Sequence, residues 1–297
     1  TMIIVFGSLN VDMIMPVATL PRPGETVLGK EYHLIPGGKG ANQAVAAARS
    51  GAQVHMFGAV GKDGFAKLLF DSLGSANVNT DGIATSSKRT GCASISVDQN
   101  AENLITVASG ANLDAKASSV PNDLLTANTI LLFQMEVPAE ENWKLIQRAF
   151  GCGCRNILNL APAQAVPPEI LKCLDILVVN EIETQMLAKS LNLTPTNQGV
   201  AKSISDSYGI TCIVTKGAEG TTAYDNGNVI QVDAMKVNPV DTTGAGDTFV
   251  GALAAALDEG KTLADAINWA NVAGALTCQK IGVQNAIPMR KDIESQM

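Results

Sequence analysis

Short continuous apolar runs separated by stretches of helical periodicity organise most of this chain. MIIVF (2–6), VHMFGAV (54–60), TILLF (129–133), RNILNL (155–160), DILVVN (175–180) and TCIVT (211–215) have strand length and little alternation, the pattern of strands buried on both faces. Ala-rich or amphipathic stretches at 40–50, 139–149, 181–190 and 196–208 lie between them and predict helices. The alternation predicts an α/β fold: a doubly wound, mostly parallel sheet flanked by helices, with ligands gathered at the strand-to-helix junctions. Two segments, 12–36 and 90–107, break the rhythm. Each reads as a pair of strands joined by a Pro/Gly or Asn-rich turn with no crossover helix. They predict a small antiparallel β-sheet lid standing off the main body, with a pair of surface hairpins as the alternative.

With 297 residues, 46% hydrophobic and 16% charged, the chain can bury a large core, and 1–297 is read as one domain carrying the lid. No internal repeat or linker interrupts it. A net charge of -7 argues against nucleic acid and acidic membranes as partners, since both are bound by clustered Lys and Arg. No run of about 18 apolar residues is long enough for a membrane helix, and the apolar start lacks a basic residue before Arg22, so a cytoplasmic location is expected. The six cysteines lack the paired spacing of a zinc site and are read as thiols. Cys152 and Cys154, in a Gly-interleaved loop, are either a redox pair or turn residues.

Chemistry concentrates in a few strings. VDTTGAGDTFVGALAAAL (240–257) opens from a small-residue turn directly into an apolar helix. Backbone N–H groups at Gly244, Ala245 and Gly246, reinforced by the helix dipole, can converge on a phosphate oxygen. Asp247 falls in the first helical turn, where a carboxylate acts as a cap or, facing a bound anion, as a base. PGGKGANQ (36–43) sets Gly37, Gly38 and Gly40 before another helix and matches neither GxxxxGK[ST] nor GxGxxG, because Gln43 stands in the last glycine's place. Its amides, with Lys39 and Asn42, suit a ligand rich in hydroxyls, or the string is a tight structural turn. Asp12 can pair with two adjacent hydroxyls or serve as a turn residue. Asn180 and Glu183, three apart after a strand, suit a hydrated Mg²⁺.

From Val240 to Phe249 the chain resembles the C-terminal signature of the ribokinase-like carbohydrate kinases, and GSLNVD (7–12), PRPGET (21–26) and GGKGANQ (37–43) follow that family's order and spacing. The resemblance runs from Gly7 to Pro288. It implies ATP-dependent phosphorylation of the primary hydroxyl of D-ribose, with Asp247 as base and the Gly244–Asp247 amides as anion hole. It also implies a sugar pocket lined by Asn10, Asp12, Gly38, Lys39, Gly40, Asn42 and Glu136 of QMEVP (134–138). For ATP it implies Asn180, TKGAEG (Thr215, Lys216, Gly217, Ala218, Glu219, Gly220), Gly246 and Asn271, with Glu183 holding Mg²⁺ through water. An activating K⁺ is implied at Asp241, Thr243, Thr277, Lys280, Gly282 and Ala286, mostly through backbone carbonyls; a homodimer through the lid is expected on separate grounds, because an exposed sheet face left unpaired invites aggregation. Ala286 stands where the family supplies a Ser hydroxyl; Leu160 and Ala66 are further departures. Kinases of fructose, of nucleosides such as adenosine, or of keto-deoxy sugar acids share the signature and are the enzymatic alternatives. A sensor of sugar or nucleotide that has lost its chemistry is the alternative of another class.

Overall fold

The computed structural model describes residues 1–100, 102–193 and 197–297; residue 101 of the second predicted lid segment and residue 196 at the head of the predicted helix 196–208 lie outside the described residues. The chain opens with strand β1 (Met2–Phe6), passes through β2 (Asn10–Pro16) and β3 (His33–Gly37), and enters helix α1 (Lys39–Arg49). It continues through β4 (Val54–Val60), α2 (Gly64–Ser75), β5 (Ile83–Thr85), β6 (Gly91–Val97), β7 (Asn103–Ala108) and β8 (Thr129–Phe133). The second half runs α3 (Ala139–Gly151), β9 (Arg155–Asn159), α4 (Pro168–Leu171), β10 (Ile176–Asn180), α5 (Glu181–Ser190), α6 (Asn197–Tyr208) and β11 (Thr211–Thr215). It closes with β12 (Thr221–Asp225), β13 (Asn228–Val232), α7 (Ala245–Asp258), α8 (Leu263–Thr277) and α9 (Arg290–Glu294).

Nine strands form the main sheet in the order β13-β12-β11-β10-β9-β8-β1-β4-β5. Seven of them, from β11 to β5, pair in parallel, and the antiparallel β12 and β13 close one edge. All six predicted apolar runs are strands of this sheet. Their continuous apolarity follows from burial on two sides: one core cluster packs under α1, α2, α7 and α8, the other under α3, α4, α5 and α6. The β12–β13 hairpin was not predicted. It turns on Asn226 and Gly227, both at positive φ, the pair that a two-residue hairpin turn requires.

The chain leaves β1 toward β4 and β5, then returns to β8 on β1's other side and proceeds outward. The order therefore reverses between β1 and β8, the topological switch point at whose carboxyl end ligands bind in such sheets. A second sheet, β3-β2-β6-β7, rises at this end. Its outer pairs are antiparallel, and β2 and β6 at its centre run parallel over Asn10–Pro16 and Gly91–Val97. The parallel pair arises because β2 and β6 each leave the main sheet in the same direction, from the ends of β1 and the β4–β5 region. Every residue of β7 is exposed, including Leu104, Ile105 and Val107. Among the described residues no helix is long and apolar enough to cross a membrane, and all six cysteines are free thiols.

Candidate active site

Helix α7 can approach α1 because Gly251 has no side chain: a Cβ there would lie 2.4 Å from the Gln43 carbonyl oxygen and 2.6 Å from Ala46 Cβ. One turn earlier on α7, this close packing sets Asp247 against the first turn of α1. Its carboxylate is buried and accepts from Asn42 Nδ2 at 3.0 Å and Gln43 Nε2 at 3.1 Å. Burial raises the Asp247 pKa and outweighs the opposing pull of Lys39 and the two amides, with Glu136 pushing the same way as burial. Lys39 is correspondingly held protonated, chiefly by Asp247, against its own burial. A carboxylate with an upward-shifted pKa beside a lysine has the character of a general base.

Gly244 caps α7 in the left-handed conformation, φ +77°, and a side chain there would strike Val283 Cγ1 at 2.8 Å. The amides of Gly244, Gly246 and Asp247 have no acceptor among the described residues, whereas Ala245 N donates to Thr242 O at 3.2 Å. Three of the four amides expected to face an anion are thus free to do so, those of Gly244, Gly246 and Asp247, while that of Ala245 braces the turn. A cleft of about 150 Å³ opens over them, lined by Lys39, Asn159, Asn180, Glu183, Thr215, Gly244, Gly246 and Asp247.

The sugar-facing residues predicted from the sequence gather at the junction of the two sheets. Asp12 lies on β2, and burial, then the carboxylates of Glu136 and Asp247, push its pKa up to about 6 against the pull of Lys39. Asn10 Oδ1 accepts from buried Asn112 Nδ2 at 2.7 Å, and Asn112 also bonds Leu9 N and Leu9 O. The Asn10 amide is thereby turned so that its Nδ2, which has no acceptor among the described residues, is the group left to offer. Glu136 Oε2 accepts from Ser8 Oγ at 2.6 Å and from Lys39 N at 3.1 Å, so this carboxylate caps α1, whose own cap, Gly38, brings no side chain. Gly40 N reaches Ser8 Oγ. Asn42 has its Oδ1 filled by Gln284 and one N–H on Asp247.

Asn180 and Glu183 form a reciprocal capping box at the start of α5, each side chain bonded to the other's backbone N–H at 2.8 Å. Glu183 lines the cleft; burial raises its pKa, against Asn180 N and Lys39. Thr215 ends β11, Gly217, Ala218 and Glu219 make a tight turn, and Lys216 Nζ reaches Thr222 Oγ1 at 3.0 Å. The Asn271 side chain accepts from Thr221 Oγ1 and donates to Val232 O and Asp233 O. It therefore ties α8 to β12 and β13, and its amide is committed to that contact.

Val240 N and Asp241 N both donate to Cys278 O, while the Asp241 carboxylate accepts from Thr243 N and Gly282 N. These bonds bring Asp241, Thr243, Thr277, Lys280 and Gly282 together beside the α7 cap, with Ala286 fully buried nearby. The Thr277 hydroxyl is already engaged by Ala273 O and Thr248 Oγ1, so only its carbonyl is available there. Sequence reasoning missed Gln43 as an Asp247 contact, and Ser8, Asn112, Gln134, Asn159 and Gln284 altogether. Asn159 and Gln134 carried one signal, a polar residue at the carboxyl end of an apolar strand run.

The description "pfkB family carbohydrate kinase" matches residues 1–290. The ribokinase of Staphylococcus aureus is 36% identical over 300 residues, covering 98% of this chain and 98% of its own length. The crystal structure of ribokinase from Thermotoga maritima superposes with a TM-score of 0.93 at 33% identity, over 99% of this chain and 98% of that one. The structure of Arabidopsis thaliana ribokinase complexed with ribose and ATP gives 0.88 at 30% identity, over 99% and 97%.

Proposed function

This chain belongs to the pfkB family of carbohydrate kinases, and from that premise we propose that it transfers the γ-phosphoryl group of ATP to the primary hydroxyl of D-ribose, giving ribose 5-phosphate. The observation that carries the reading is buried Asp247 beside unpaired amides and Lys39 in a cleft at the switch point. The choice of ribose is supported by relatives named ribokinase across the full length, one of them complexed with ribose and ATP.

Asp247 accepts the proton of the attacking hydroxyl. The amides of Gly244, Gly246 and Asp247 and the positive end of α7 face the charge spread over the transferring phosphoryl, and Lys39 adds a full positive charge. Asn10, Asp12, Gly38 and Gly40 orient the sugar through hydroxyl contacts. Thr215 and the 216–220 turn, with Asn180, border the nucleotide; Asn271 acts by fixing the strands behind it. Mg²⁺ would be carried mainly by phosphates and waters, with Glu183, which lines the cleft, as the carboxylate in reach. When bound, Mg²⁺ neutralises charge on the phosphate oxygens.

The loops around Gly282, held to Asp241 beside the α7 cap, are the proposed place of a monovalent cation, K⁺, taken mostly through backbone carbonyls, with the Ala286 methyl leaving one oxygen ligand to come from elsewhere. A homodimer through the small sheet accounts for the exposed apolar side chains of β7, because an open sheet face of this kind invites pairing. A cytoplasmic location belongs to the same reading, because ATP is held there. The test is coupled ADP production with ribose, deoxyribose, fructose and adenosine, in the wild type and in Asp247→Asn. Ribose is expected to be preferred, and the variant to lose at least about 10²-fold in turnover. Turnover of the variant within a few-fold of wild type would remove Asp247 from the role of base.

A further inference from the structure

Both oxygens of Asp247 terminate chains of buried amides. Oδ1 accepts from Gln43 Nε2 at 3.1 Å, and Gln43 Oε1 accepts from Gln134 Nε2 at 2.8 Å. Oδ2 accepts from Asn42 Nδ2 at 3.0 Å, Asn42 Oδ1 from Gln284 Nε2 at 3.1 Å, and Gln284 Oε1 from the Ser72 hydroxyl at 2.6 Å. Gln43, Asn42, Gln134 and Gln284 are all buried.

An ionised carboxylate only accepts hydrogen bonds, so it dictates which end of each neighbouring amide faces it. Gln43 must present its N–H group to Asp247, and its carbonyl then points away and requires a donor, which Gln134 supplies. The same logic orders Asn42 and Gln284. Gln134 shows what this order costs. Its own Oε1 is buried with no donor among the described residues, and it sits where a side chain on Gly7 would be, 1.8 Å from the position of a Cβ. Turning this amide over would set two carbonyl oxygens against each other at Gln43. An unsatisfied buried acceptor persists in a fold where the arrangement serves something else.

We propose that Gln43, oriented by Gln134, and Asn42, oriented by Gln284, are positioning residues for Asp247: two amide chains with their N–H ends converging on the carboxylate keep the base ionised and aimed at the sugar hydroxyl. Each carboxylate oxygen accepts one amide and retains a second acceptor direction for the substrate proton. The inference rests on Asp247 being the base. The charged groups facing it are Lys39 of α1, Asp12 of β2, Glu136 after β8 and Glu183 of α5. Three of these four are carboxylates, which disfavour a further negative charge, so the amide donors are needed alongside Lys39 to hold Asp247 ionised.

The experiment is the pH dependence of kcat at saturating ribose and ATP, read by coupled ADP production, for wild type, Gln43→Met, Gln134→Met, their double variant and Asp247→Asn. Removing a donor from an ionised acid raises its pKa, so in Gln43→Met the acid limb of kcat moves up by about one pH unit. Plateau turnover falls by no more than about 10-fold, and the KM for ATP changes less than about three-fold. Gln134→Met shifts the limb the same way by less, and the double variant goes no further than Gln43→Met alone, because the two amides act in one chain. An acid limb that stays in place while turnover drops by one factor at every pH would mean that Gln43 only packs, and would overturn the proposal. If Gln43→Met does not fold, Gln134→Met decides by the same limb. Substantial turnover in Asp247→Asn overturns the base itself, whereas a silent Asp247→Asn beside an unmoved limb in the Gln variants overturns only the amide chains.

Discussion

Asp12 offers a pH signature separable from that of the base. Its pKa is raised from an ordinary 3.8 to about 6 by burial first and then by the carboxylates of Glu136 and Asp247, with Lys39 pulling the other way. The ionised group can accept from two sugar hydroxyls at once, and protonation removes that capacity from one oxygen. With a pKa near 6, the ionised fraction falls from about 90% at pH 7 to about 9% at pH 5, so the Kd for ribose should rise by about 10-fold between them. Stability moves the opposite way. The folded state holds the proton between pH 3.8 and 6 while the unfolded chain has released it, so this group's contribution to stability falls as pH rises through that window and is least above pH 6. The full penalty is at most about 3 kcal/mol at pH 7, reduced by whatever solvent reaches the carboxylate. Asp12→Asn should therefore bind ribose weakly and without pH dependence from pH 5 to 7.5, yet melt up to about 5 °C higher than wild type at pH 7. Calorimetric titration with ribose and thermal melts on both proteins supply the readings. A wild-type Kd that is flat across this range, or an Asp12→Asn protein that retains the wild-type pH slope, would refute the assignment.

Three further outcomes are expected. Gly38→Ala places a Cβ 2.7 Å from Asn10 N, 2.9 Å from Ser8 O and 3.0 Å from Leu9 Cα at φ +89°; since all three are backbone atoms that cannot swing aside, it should cost about 2–5 kcal/mol in a denaturant melt. Asn112→Leu frees the Asn10 amide and should raise the KM for ribose by about 10-fold while leaving the KM for ATP unchanged, as steady-state kinetics with each substrate varied would reveal. Ribose phosphorylation in KCl, NaCl and choline chloride at matched ionic strength should be fastest in KCl, with half-saturation at lower K⁺ in Ala286→Ser than in wild type; equal rates in the three salts would mean that no functional cation site exists.

How much of this was legible in the sequence depends on the kind of physics involved. Strands β1, β4, β8, β9, β10 and β11 declared themselves because burial on both faces demands continuous apolarity, and α5 matched its predicted range residue for residue because Asn180 and Glu183 write a capping box into the chain. The β12–β13 hairpin was equally written, in Asn226 and Gly227, but β12 is a buried strand carrying two Thr, a Tyr and an Asp rather than a continuous apolar run, and β13 is mostly exposed, so periodicity alone passed over it. The parallel pairing of β2 with β6 had no local signal: it is set by where two strands leave the main sheet, a property of the whole topology. The site divides in the same way. Asp247, Asp12 and the glycine turns lie in contiguous strings whose local geometry makes their chemistry readable. Gln134 and Gln284 come to Asp247 from 113 and 37 residues away along the chain, and neither bonds it directly: each reaches the carboxylate through one amide, Gln43 or Asn42. Only the direction of hydrogen bonding, fixed by the charge on one carboxylate, links them, and that direction exists once the fold has closed Gly251 of α7 onto α1.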